Sequence, residues 1–112
     1  MTSFEFGAIV LIAFPFTDQT GSKQRPAVVI SSGAYQEAKP DIILMAVTSQ
    51  IKTQKLLGEV IIDEWKAAGL LKPSVIKPVI FTAEKKLIRK KLGQLKEIDI
   101  QRLKQNLTVI IG

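Results

Sequence analysis

Three short apolar runs rich in β-branched residues, AIVLIAF (8–14), AVVIS (27–31) and DIILMAV (41–47), follow one another in the first half of the chain, with turn-forming residues between them. Short runs bounded by such residues read as buried strands in series. The ten residues PFTDQTGSKQ between the first two read as a long loop, so the pair is expected to form a hairpin whose loop serves binding rather than packing. SGAYQEAKP (32–40) reads as a second irregular piece.

The second run is preceded by Gln24-Arg25-Pro26. Proline has a fixed φ and no N–H, which suits the first position of a strand and holds the residue before it extended. Arg25 is therefore expected just outside the strand, aimed at something. The third run ends abruptly in Thr48-Ser49-Gln50, three hydrogen-bonding side chains at a sheet edge or barrel mouth. A plainer account has Arg25 paired with Asp18 or Asp41 and Thr48 satisfying local backbone.

Further along, LGEVII (57–62) and SVIKPVIFT (74–82) are strand candidates, the latter interrupted by Pro78 and so expected at an edge or in a bulge. Between them Asp63 fits an N-cap and Gly69 a C′ residue, allowing one or two helical turns that carry Trp65 as a core plug. KKLIRKKL (85–92), with five basic residues, reads as one strand, either facing phosphates or blunting a sheet edge. Glu97–Leu107 makes an amphipathic helix, with Ile100, Leu103 and Leu107 on one face. Five to seven short strands and a terminal helix predict one domain over residues 1–112: mainly β with short helices, a small SH3-like barrel closed by a C-terminal helix.

Composition narrows the chemistry. The chain has neither Cys nor His, which excludes disulfides, thiol nucleophiles and imidazole acid–base or metal chemistry. Residues 1–50 carry net charge −1 and residues 51–112 carry +7. That asymmetry suits a polyanionic partner as well as it suits a solvated lysine-rich surface. The sequence contains no run of about 18 apolar residues and no signal-peptide layout at its start, so a cytoplasmic protein without membrane association is expected.

Four segments in order, GAIVLIAFPFTDQTGSKQRPAVVIS, DIILMAVTSQ, GLLKPSVIK and KKLGQL before a helix, resemble the MazF/PemK family of toxin endoribonucleases from prokaryotic toxin–antitoxin systems. The resemblance runs from about Gly7 to the C-terminus. It implies a MazF/CcdB-type barrel that forms a homodimer and cuts single-stranded RNA at short preferred sequences, without metal or other cofactor. It also implies a cognate antitoxin whose disordered tail fills the RNA groove. The family's catalytic arginine falls on Arg25 in QRPAVV and its strand-end threonine on Thr48 in AVTSQ. Thr17, Ser22 and Lys23 of the loop, Gln24, Ser49 and Gln50 beside the pair, and Lys77 after PSV are the implied RNA contacts.

Physical reasoning about RNA cleavage agrees. An RNA chain can cut itself when its own 2′-OH attacks the adjacent phosphate, and a protein assists by orienting the groups and stabilising the extra negative charge. A guanidinium fork suits two phosphate oxygens, and a threonine hydroxyl can donate to a third. Two family carboxylates are absent: Ala8 follows the first glycine, and Lys77 and Val79 stand where arginine and aspartate are common. Two other functions fit the same barrel. One is a toxin that binds gyrase through the C-terminal helix and Val109-Ile110-Ile111; the other is a non-catalytic nucleic-acid module built on KKLIRKKL.

Overall fold

A computed structural model describes residues 4–14, 23–51 and 56–112. Strands β1 (Ala8–Phe14) and β2 (Lys23–Val29) are followed by helix α1 (Gly33–Ala38) and strand β3 (Asp41–Thr48). Then come β4 (Val60–Ile61), β5 (Val75–Glu84), a 3₁₀ turn at Lys85–Leu87, β6 (Ile88–Gln94) and helix α2 (Glu97–Ile111). The six strands form one sheet in the order β4-β5-β3-β2-β1-β6, every pairing antiparallel.

The order forces the sheet to curl. β5 and β6 are separated by four strand spacings, about 19 Å across a flat sheet. Only Lys85–Leu87 join them, and the four steps from Glu84 to Ile88 reach at most about 14 Å even when extended. The sheet therefore bends toward closure, and each of its faces is buried. One face gathers Ile9, Val28, Met45, Val47 and Ile76 under Leu103 of α2. The other gathers Val10, Ile12, Ala27, Val29, Ile42 and Leu44 against Phe4, Phe81, Leu87 and Ile88. This is the expected mainly-β barrel-like architecture with a terminal helix.

Helix α2 runs to Ile111, four residues beyond the expectation, because Ile110 extends the stripe of Ile100, Leu103 and Leu107 against the core. Leu103 is fully buried, a contribution of about 1.5–3 kcal/mol.

Several sequence expectations are corrected. SGAYQEAKP contains helix α1: the Ser32 hydroxyl accepts the Tyr35 N–H (3.2 Å), and Pro40 follows the helix end. Only Val60–Ile61 of LGEVII pairs as strand. Residues 63–69 form successive turns rather than a helix, and Asp63 caps nothing. Instead its N–H and that of Glu64 donate to the buried Asp99 carboxylate of α2 (3.0 and 2.9 Å). Gly69 does adopt positive φ (+92°) and, with Gly93, lets two backbones meet: a Cβ on Gly93 would lie 2.1 Å from the Ala68 carbonyl oxygen. Trp65 packs on the core as expected. KKLIRKKL is not one strand but a 3₁₀ turn leading into β6. The alternation expected along it is broken by two register shifts against β1.

Candidate functional site

Arg25 lies within β2, not before it. Arg25 pairs with Ile12 and Pro26 with Leu11, so the strand, which begins at Lys23, includes three residues before the proline. Pro26 acts on the other side. The pairing of β2 with β3 runs from Val29↔Leu44 to Ala27↔Ala46 and ends there, one residue short of a proline that has no N–H to donate. Ala27↔Ala46 is the last pair of the two strands among the described residues.

Extended two residues past its last pair, that register would set Arg25 level with Thr48. Residues level across an antiparallel pair point to one face of the sheet. That face is the one bearing Ile12, Ala27 and Leu44, and here it opens to solvent: Arg25 is exposed and Thr48 half-buried. The Arg25 side chain forms no ion pair or hydrogen bond with any described residue. Asp41, one of its expected partners, lies at the opposite end of β3, roughly 23 Å from Thr48 along the strand; Asp18 lies outside the described residues. Thr48 Oγ1 accepts the Gln50 N–H (3.1 Å), and its hydroxyl hydrogen, which remains to donate, has no acceptor among the described residues.

The neighbouring strand brings Lys77 to the same end. Met45 pairs with Ile80 and Val47 with Ile76, so Lys77, Pro78 and Val79 stand opposite the single residue Ala46. This is the bulge that Pro78 led one to expect. Lys77 is half-buried and Val79 half-exposed. Arg25, Thr48 and Lys77 thus stand on three adjacent strands, β2, β3 and β5, at one end of the sheet.

The remaining candidates divide. Ser49 and Gln50 are exposed just past β3, beside Thr48. Gln24 is exposed but alternates to the other face from Arg25. Lys23 begins β2. Thr17 and Ser22 lie outside the described residues. Ala8 is fully buried and four residues along β1 from the Ile12 row, about 13 Å away, so an acid there would not reach the groups around Arg25. Among the described residues no three acidic side chains converge, and no helix is long and apolar enough to cross a membrane.

Phe4 carries no sequence signal of a role. The buried Gln36 side chain holds its backbone at both ends, accepting the Phe4 N–H (2.9 Å) and donating to the Phe4 carbonyl (2.5 Å). No local pattern marks that clamp, which joins residues 32 apart.

Comparison with known proteins adds a family. The model of the PemK-like, MazF-like toxins of type II toxin–antitoxin systems matches residues 5–111. A crystal structure of MazE–MazF from Deinococcus radiodurans superposes with TM-score 0.79 at 21% identity, covering 99% of this chain and 98% of that one. MazF alone from the same organism gives 0.76 at 20%, covering 100% and 99%. An endoribonuclease in complex with its cognate antitoxin, from a mycobacterial species, gives 0.78 at 14%, covering 98% and 96%. At these identities the likeness is one of fold. No curated relative matches the chain.

Proposed function

This chain belongs to the PemK-like, MazF-like toxins of type II toxin–antitoxin systems, and we propose that it acts as an endoribonuclease on single-stranded RNA, with Arg25 and Thr48 at the reacting phosphate. The observation that carries the reading is the open end of the β2–β3 pair. There an arginine whose side chain has no partner among the described residues lies, by extension of the register, level with a threonine whose hydroxyl hydrogen has no acceptor among them.

In the proposed reaction the RNA 2′-oxygen attacks the adjacent phosphorus and the bond to the 5′-oxygen breaks. A 2′,3′-cyclic phosphate and a 5′-OH result. The phosphorane gains negative charge as it forms, and two guanidinium N–H donors from Arg25 with one hydroxyl donor from Thr48 stabilise it more than they stabilise the starting diester. Removing one such donor costs a factor of roughly 10²–10³ in rate. With Ala8 buried away from the site and valine at position 79, water takes the 2′-OH proton and returns one to the leaving 5′-oxygen. The chemistry asks for orientation and charge, which this residue set supplies without a metal. Lys77 attracts a neighbouring phosphate as a point charge, and Ser49 and Gln50 contact the strand beside Thr48.

The cognate antitoxin is the proposed partner, since solved neighbours include an endoribonuclease bound to its own, and a homodimer is the proposed form. Analysis of product ends in EDTA tests the chemistry. The 5′ ends should accept phosphate from a polynucleotide kinase without prior phosphatase treatment; ends that need phosphatase first would contradict the mechanism.

A further inference from the structure

The basic stretch after β5, which the proposed reaction does not use, lines a cleft. A cavity of about 450 Å³ opens between the N-terminal segment and β6, bounded by Phe4, Lys86, Ile88, Arg89, Lys90 and Lys91. Lys85 also borders it, but its ammonium donates to the Gln36 carbonyl (2.7 Å), and Lys86 pairs with Glu84 at the surface (3.5 Å). Arg89, Lys90 and Lys91 have no ion pair among the described residues and are exposed. A lysine-blunted sheet edge needs only solvated charge. Here the charges border a concavity that also holds an aromatic ring, and the Gln36 clamp fixes the backbone of that aromatic residue.

A cationic groove with an aromatic platform is the combination that holds single-stranded nucleic acid: phosphates follow the charge and a base stacks on the ring. The cleft wall also lies near the proposed active site in the sheet. Ile12 pairs with Arg25 on one side and with Ile88 on the other, so the cleft wall at Ile88 is two strands, about 10 Å, from Arg25 on the same face. That is within the reach of one RNA strand and comparable to the screening length at physiological salt.

We propose that the cleft between Phe4 and β6 is a second RNA subsite, in which Arg89, Lys90 and Lys91 hold flanking phosphates and Phe4 stacks one base of the strand being cut at Arg25. The inference rests on the nuclease reading for its substrate, but its binding test does not require cleavage. An acidic protein segment is the competing occupant; it would use the charges and leave the ring idle.

The test uses a long single-stranded RNA carrying 2′-O-methyl groups throughout, which its own 2′-oxygens cannot cut, and measures affinity against salt by fluorescence anisotropy. The triple variant Arg89→Gln/Lys90→Gln/Lys91→Gln should lower the magnitude of the log–log salt slope by about 2. It should weaken binding at least tenfold. Phe4→Leu, which keeps an apolar side chain against the core, should weaken binding about tenfold without changing the slope. With cleavable RNA, the wild type should show a lower KM for a long strand than for an oligonucleotide too short to reach the cleft, and the triple variant should lose that preference. An unchanged slope and affinity in variants with wild-type melting temperature would overturn the subsite while leaving the nuclease reading intact. Loss of binding to poly-glutamate with RNA binding retained would also overturn it, in favour of an acidic partner. Absence of cleavage by the wild type would sink the nuclease reading, and the slope would still decide the cleft.

Discussion

Replacing Asp99 by alanine should unfold the protein at a markedly lower temperature while sparing the chemistry. The Asp99 carboxylate is fully buried in the first turn of α2 and accepts the Asp63 and Glu64 N–H groups from a segment 35 and 36 residues away. Arg102 adds a long contact to the same carboxylate (3.8 Å) and a closer one to Asp63, both half-exposed on its side. Hydrogen bonds to a charged acceptor contribute about 1.5–3 kcal/mol each. Because both donors are only partly buried, water recovers some of the loss, and the pair is worth about 3 kcal/mol. For a chain of 112 residues with an unfolding entropy of about 2.1 cal/mol/K per residue, that is a fall in Tm of about 13 °C.

Thermal unfolding followed by circular dichroism measures it. Asp99→Asn keeps one acceptor oxygen but turns an NH₂ toward a donor, so it should lose half or more of the same amount. Arg102→Ala should cost less than about 1 kcal/mol, as exposed pairs do. Asp99 serves the sheet face under α2 and Arg25 the other, so folded Asp99→Ala protein should cut RNA at the wild-type rate. A fall in Tm below about 3 °C for Asp99→Ala would refute the view that this carboxylate ties α2 to the turns at 63–69.

Other perturbations have equally definite outcomes. Gly93→Ala drives a Cβ to 2.1 Å from the Ala68 carbonyl oxygen and should cost at least about 1–3 kcal/mol in urea unfolding, since backbone lies on both sides; an unchanged midpoint would show that the two segments can part there freely. Thr48→Val keeps the shape and removes the donor, so kcat should fall roughly 10²–10³-fold with stability changed by no more than about 1 kcal/mol, and Thr48→Ser should restore much of the rate. A fully active Thr48→Val would remove threonine from the mechanism. Lys77→Ala should raise KM several-fold with little change in kcat, because a single phosphate contact serves ground and transition states alike; a fall in kcat alone would give Lys77 a role at the reacting centre instead.

The main strands were legible because their apolar runs are dense and their boundaries carry Pro, Gly and polar trios; β1 and β3 match the reading almost residue for residue. Pro78 gave its bulge because a residue without an N–H cannot continue a ladder. Pro26 misled for the same reason, since β2 gains its first residues from pairing with β1 and loses only its bonds to β3. Helix α1 is hard to read from sequence although Ser32, Gln36 and Glu37 ahead of Pro40 carry cap and helix signals; six residues are too few for periodicity to speak. The Asp99 cap and the Gln36 clamp on Phe4 join positions more than 30 residues apart, and no local pattern encodes such partners. Arg25 and Thr48 are brought together by resemblance and by residue type, whereas the β2–β3 register that runs toward them ends at Ala27 and Ala46 and is set only by the folded sheet.

Arg25 is proposed to act on the phosphate. The most direct measurement is a denaturing gel of long single-stranded RNA incubated in EDTA with wild type and with Arg25→Ala of matched circular dichroism. Discrete fragments from the wild type and intact RNA with Arg25→Ala are the predicted result; equal fragmentation by both, or intact RNA in both, would contradict the account.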